Sequence, residues 1–134
     1  MKFIEWCGLL EIGHFQIDEQ HQKLFDIANR FHDQIGKNKD QTLVVETLNQ
    51  LVQYAQFHFA EEERLLQKLN FPADSLAKHK RTHERLLIQI FDLHAKFAKG
   101  TKSTLPEIQQ FLNEWLIQHI LIEDKKYIGY LVRD

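Results

Sequence analysis

Phe57-His58-Phe59-Ala60-Glu61-Glu62 places a histidine and a carboxylate four residues apart. They interrupt an apolar stripe, Val44, Leu48, Leu51, Ala55, His58, Glu62, Leu65, Leu69, whose steps alternate between four and three. That spacing marks a helix seam facing other helices. Ionisable groups on such a seam face the core, where a charge is costly unless it is paired or coordinates a metal. Imidazole and carboxylate together are metal ligands, so the other seams are expected to carry partners.

Each remaining seam carries donors of its own. The stripe Ile17, His21, Leu24, Ala28, Phe31, Ile35 holds His21. The stripe Leu76, His79, His83, Leu86, Ile90, Leu93, Phe97 holds His79 and His83. The stripe Ile108, Leu112, Trp115, His119, Ile122 holds His119, with Asp124 five residues beyond it. Residues four apart differ by about 40° around a helix, so His58 with Glu62, and His79 with His83, each converge on one point. Five residues differ by roughly 140°, so His119 and Asp124 require a π-bulge, a break or a helix end between them. A lone seam histidine is usually a hydrogen-bonded core residue. Four seams carrying such groups together would bury five imidazoles and a carboxylate that a small core cannot satisfy separately. His32 and His94 lie eleven residues beyond His21 and His83, about 16 Å along the axis, and are read as structural or surface residues. His14 falls on an irregular segment, and Lys80 and Arg81 point outward from their helix.

The elements that must position these donors are four helices. Asp18 is the expected cap of the first, which Gly36 and Lys37-Asn38-Lys39 end. Asp40 caps a second, roughly 41–69, stopped by Asn70 and Pro72. Asp74 or Ser75 starts a third that Gly100 ends, and Thr104-Leu105-Pro106-Glu107 has the form of a capping box for the fourth. Short connections make an all-α, up-down-up-down four-helix bundle the expected fold. Residues 1–16 form an irregular N-terminal arm, with Phe3, Ile4 and Trp6 available to dock. Residues 124–134 form a short, partly helical C-terminal tail, with Tyr127, Ile128, Tyr130 and Leu131 able to pack. The 134 residues suit a single domain spanning 1–134. A net charge of −2 gives no reason to expect nucleic acid or an anionic membrane. One cysteine, Cys7, excludes a disulfide framework and a thiolate zinc site. No signal peptide or spanning segment is read, so no membrane insertion is expected and the expected location is the cytoplasm.

Five imidazoles and two carboxylates exceed what one ion accepts. Structural zinc favours thiolates, magnesium and calcium favour oxygen, and imidazole with carboxylate suits iron. If two six-coordinate irons share both carboxylates and one solvent-derived oxygen, roughly eleven of twelve positions are filled. One position then remains for a small molecule.

The set resembles the hemerythrin family, and its single-domain bacterial members in particular. The family pattern is a histidine, then H-x3-E, H-x3-H and H-x4-D on successive helices. His21, His58-Phe59-Ala60-Glu61-Glu62, His79-Lys80-Arg81-Thr82-His83 and His119-Ile120-Leu121-Ile122-Glu123-Asp124 match it in type, order and spacing. Trp6, Ile17-Asp18-Glu19-Gln20-His21 and Trp115-Leu116 extend the likeness over nearly the whole chain. The resemblance implies that His79, His83 and His119 hold one iron and that His21 and His58 hold the other, which carries the vacancy. Glu62 and Asp124 bridge the pair alongside an oxo or hydroxo group. It implies reversible binding of dioxygen as hydroperoxide at the open iron, for carriage, storage or delivery, with an oxygen-consuming enzyme as recipient. No free seam carboxylate or hydroxyl is left as a general acid or base, so binding is expected rather than catalysis. The alternatives are an oxygen or nitric-oxide sensor acting through a separate partner, or a weak di-iron oxidase or peroxidase. Leu116, one turn before His119, is expected beside the metals in an apolar oxygen pocket with Phe59, Trp115 and Ile120.

Overall fold

The computed structural model describes residues 8–37, 40–100 and 105–130. The expected docking of Phe3, Ile4 and Trp6, the cap at Thr104, and the packing of the Tyr130 side chain and of Leu131 lie outside the described residues. A 3₁₀ turn, Gly8–Leu10, precedes α1, Phe15–Gly36. Then come α2, Gln41–Lys68, and α3, Ala73–Ala98. The fourth helix, α4, has three parts: an α-helical start, Leu105–Leu112, a π-helical stretch, Asn113–Glu123, and a 3₁₀ end, Asp124–Tyr130. No strand occurs among the described residues. No helix of the structure is long and apolar enough to cross a membrane.

Cross-helix contacts fix the helix directions. Gln20 meets His58 and Arg30 meets Gln50, so α1 and α2 run antiparallel. Gln41 meets Phe97 and Glu63 meets His83, which sets α3 against α2. Leu86 meets Trp115 and His83 meets His119, and His32 meets Gln109 while His21 meets Asp124. Thus α4 runs antiparallel to both α3 and α1, giving the up-down-up-down bundle.

Local chemistry sets the helix ends, in places differently from the expectation. Asp18 does not cap α1. The helix starts earlier, at Phe15, and His14 Nδ1 accepts from Ile17 N–H at 3.3 Å. Asp18 instead reaches back from the first turn, accepting from Ile12 N–H at 2.9 Å and Gly13 N–H at 3.2 Å. That ties the arm to the helix start, where a carboxylate is also favoured by the helix dipole. Helix α3 likewise starts ahead of Asp74 and Ser75, with Pro72 as the flanking residue. Helix α2 ends in a Schellman motif: Phe71 N–H bonds Leu66 C=O and Asn70 N–H bonds Gln67 C=O. Asn70 takes the left-handed conformation, φ 57°, that this cap demands. Gly100 serves after α3 with φ 84°.

The bundle core is divided along its axis. On one side lies the main apolar cluster, including Leu24, Phe31, Leu48, Leu51, Ile90 and Leu112. On the other side Ile12, Ile17, Leu66 and Tyr127 form a smaller cap, with Phe71 and Leu76 packed against it. Each such buried side chain contributes roughly 1.5–3 kcal/mol. Every helix places a donor between main core and cap: His21 between Ile17 and Leu24, Glu62 between Phe59 and Leu66, His79 and His83 between Leu76 and Leu86, and Asp124 between Ile120 and Tyr127, while His58 and His119 lie at the edge of the main core. The seam deviates from the expected stripe at the end of α1, where Gln34 is buried and Ile35 only partly so, and again in α2 and α4. Leu66, rather than Leu65 or Leu69, is the fully buried residue near the end of α2. In α4 Ile122 is 54% exposed while Ile120 is 2% exposed. The cause is the π-helical stretch, whose i→i+5 hydrogen bonds stack residues five apart. Trp115 therefore aligns with Ile120, and His119 with Asp124.

Candidate metal centre

The π-helical turn resolves the angular problem posed by His119 and Asp124. Regular α-helix would send them to different faces, whereas His119 Nε2 and Asp124 Oδ1 lie 3.0 Å apart. The spacing of the other pairs needs no such distortion. His58 and Glu62 face inward from α2, and His79 and His83 from α3. All seven expected positions come together at the boundary between main core and cap, each buried.

Their donor atoms form two overlapping groups. Glu62, His79, His83, His119 and Asp124 offer one set of atoms within 4.8 Å of one another. His21, His58, Glu62 and Asp124 offer the other. Only the two carboxylates belong to both, and each turns its oxygens in different directions. Glu62 Oε1 lies 2.6 Å from His79 Nε2 and 3.1 Å from His83 Nε2. Its Oε2 lies 3.5 Å from His58 Nε2 and 3.6 Å from His21 Nε2. Asp124 Oδ1 faces His119 and His79, at 3.0 and 3.3 Å, and Oδ2 faces His21 at 3.1 Å. His32 and His94 stand away from this cluster. His32 lies 3.1 Å from Gln109 through Nε2.

The donor set fits a metal pair. His58 Nε2, His83 Nε2, both His119 nitrogens and both Asp124 oxygens are buried without a hydrogen bond. Such groups cost roughly 1–3 kcal/mol each, more when charged, unless something coordinates them. Metal ions at the two groups would satisfy His58 Nε2, His83 Nε2, His119 Nε2 and the Asp124 oxygens, together with the Glu62 oxygens. Without metal the cluster must pair its charges internally. Burial pulls the His21 pKa down, but Asp124 and Glu62 outweigh it and hold it at about 9. Burial opposes the same rise at His79, where Asp124 and Glu62 lift the pKa to about 10. His83 is raised against burial by Glu62 and Glu63. Burial dominates at His58 and lowers it. Both carboxylates are pulled low: burial and mutual repulsion oppose this, and the surrounding histidines win. Ligating imidazoles must be neutral, so metal binding displaces protons from this network.

Three further residues touch the cluster. Gln20 Oε1 lies 2.7 Å from His58 Nδ1, and Glu63 Oε2 lies 2.8 Å from His83 Nδ1. Tyr127, fully buried, donates from Oη to Glu62 Oε2 at 2.9 Å. Burial, then Glu62, raises its pKa well above that of an ordinary phenol, so it stays a donor. Gln20 and Glu63 each adjoin a ligand-type residue in sequence, and that adjacency is the only signal they carry. Tyr127 was expected only to pack.

A small cavity of about 10 Å³ borders the two-histidine group. Leu24, Phe59, Trp115, Leu116 and Ile120 form its apolar wall, and His21, His58, His119 and Asp124 its floor. The four wall residues expected from the sequence are all present. Phe59 also stacks on His83, with ring centroids 4.0 Å apart, and Trp115 is held by an Nε1–H bond of 2.9 Å to Leu86 C=O.

Known proteins resemble this chain in sequence and fold. The family model of the hemerythrin HHE cation binding domain matches residues 13–131. A bacteriohemerythrin of Methylococcus capsulatus is 34% identical over 110 residues, covering 82% of this chain and 82% of its own. A bacteriohemerythrin of Clostridium acetobutylicum is 30% identical over 128 residues, covering 92% and 97%. A crystal structure of wild-type hemerythrin aligns with a TM-score of 0.84 at 29% identity, covering 96% of this chain and 97% of that one. With the family model spanning both donor groups and the same bundle holding them, this chain belongs to the hemerythrin family.

Proposed function

We propose that this protein binds dioxygen reversibly at a non-haem di-iron centre. One observation carries the reading: two donor groups share Glu62 and Asp124, and a small, largely apolar cavity borders both histidines of the smaller group and only His119 of the larger. Family membership supports iron as the metal. His79, His83 and His119 would hold one ion and His21 and His58 the other, with Glu62 and Asp124 available to both. When bound, the iron pair supplies the electrons and the open position that dioxygen binding requires.

The chain's own residues decide whether that binding is reversible. The cavity is near the lower limit for one water molecule, which restricts it to very small ligands. Leu24, Phe59, Trp115, Leu116 and Ile120 give water no hydrogen-bond partner on that side. Excluding water disfavours departure of oxygen as a solvated anion and favours its return as the neutral gas. The two buried carboxylates are taken up as bridges, and Tyr127 is held by Glu62. That leaves no buried acid or base of the cluster to drive turnover, so the reading is a carrier or store rather than an enzyme. Delivery to an oxygen-consuming enzyme in the cytoplasm is part of the same proposal. Iron-loaded protein, reduced without air and then exposed to it, should gain a visible absorption that disappears on deoxygenation. A one-way change on exposure to air would overturn the reversible reading.

A further inference from the structure

The bonds outside the donor set are not alike on the two sides. His83, of the three-histidine group, has a carboxylate behind it: Glu63 Oε2 at 2.8 Å from Nδ1. His58, of the two-histidine group, has a neutral amide in the same place: Gln20 Oε1 at 2.7 Å from Nδ1. An imidazole whose Nδ1–H is drawn toward a carboxylate is the stronger donor at Nε2. Glu62 repeats the difference within one side chain. Its Oε1 faces His79 and His83, whereas its Oε2, facing His21 and His58, also accepts the Tyr127 hydroxyl at 2.9 Å. A carboxylate oxygen that already accepts an O–H has less charge to give a cation.

We propose that Glu63, Gln20 and Tyr127 are positioning residues that make the two metal positions electronically unequal, enriching the three-histidine position and leaving the two-histidine position, beside the cavity, poor in donation and ready for a further ligand. The inference rests on the dinuclear reading above and adds to it the origin of the inequality. Histidine count alone makes the positions differ. The outer bonds widen that difference, and they do so by charge rather than by shape.

The test uses the full chain loaded with Co²⁺, a redox-stable probe, and challenged with graded chelator while the visible absorption of bound Co²⁺ is followed. Wild type should release cobalt in two steps, the two-histidine position first. Glu63→Gln keeps a hydrogen-bond acceptor but removes the charge. It should weaken the tighter step by about 10–100-fold and draw the two steps together. Gln20→Glu should strengthen the weaker step, and the exchange of both residues should close the gap further. Tyr127→Phe preserves the packed ring and should also strengthen the weaker step, which gives a reading should the charge variants misfold. A merely structural role for these residues would shift both steps alike, and that result, or unchanged steps, overturns the proposal. A wild-type chain that holds a single Co²⁺ would instead overturn the dinuclear reading, and the inference with it.

Discussion

Truncating Leu116 to alanine separates two jobs that one side chain performs. Leu116 is 3% exposed and stands in the cavity wall with Trp115, beside the histidines of its floor. Its replacement removes three carbons at about 0.8 kcal/mol each, roughly 2.4 kcal/mol of transfer free energy. The unfilled space adds a cavity term, for a total of about 2–5 kcal/mol. For a chain of this size, melting should fall by roughly 3–6 °C per kcal/mol. The functional effect has a different origin. The native cavity, about 10 Å³, is at the lower limit for one water. The enlarged one, still bordered by His21, His58, His119 and Asp124, has room for water directly beside the residues that would hold the metals. Water there should speed irreversible oxidation in air. The assay follows repeated oxygenation and deoxygenation of wild type and Leu116→Ala at equal iron content. A variant that keeps full iron and survives as many cycles as wild type would show that the wall does not protect the site.

Other expectations follow from the same geometry. Glu62→Ala removes a residue common to both donor groups and leaves the Tyr127 hydroxyl without its partner, so iron content should fall to one ion or fewer per chain by metal analysis. Iron removal should lower the melting temperature markedly, because the buried donors lose their ligand. The metal-free chain should also show a distinctive pH profile. His21 and His79, raised from 6.5 to about 9 and about 10, stabilise it fully below pH 6.5 and lose that contribution as pH rises through those values. Glu62 and Asp124, both lowered, stabilise it above the ordinary carboxylate range and lose that contribution on acidification, and His58, lowered by burial, adds to the acid-side loss. Its melting temperature should therefore peak near neutrality and fall toward pH 10, a limb that bound metal removes; a flat alkaline profile without metal would contradict these pairings. Trp115→Phe breaks the bond to Leu86 C=O and should cost about 0.5–1.5 kcal/mol beyond any loss of packing, measurable by denaturant titration.

The donor residues were legible because their spacing is helical arithmetic. His58 with Glu62, and His79 with His83, stand on one face of any regular helix, and four seams with such residues need a common centre. His119 and Asp124 were legible for the opposite reason: their spacing fits no regular α-helix, and the irregularity it demands appears as the π-helical stretch Asn113–Glu123. That same stretch misplaced Ile122, since a stripe counted in threes and fours cannot follow i→i+5 bonding. Asp18 was misread because its carboxylate suits a cap by residue type alone. Whether it caps its own helix or reaches back to Ile12 and Gly13 depends on where the arm lies. Gln20, Glu63 and Tyr127 were beyond reach for a related reason. Their bonds to His58, His83 and Glu62 cross between helices, so they depend on the rotation of one helix against another. No periodicity within one helix records that rotation.

The central claim, a shared-carboxylate iron pair that returns its oxygen, is tested most directly by gas uptake on protein of known iron content. The account predicts about two irons per chain, and about one dioxygen taken up per pair and recovered on evacuation. One iron per chain, zinc in place of iron after iron-replete expression, or oxygen consumed without return would contradict it.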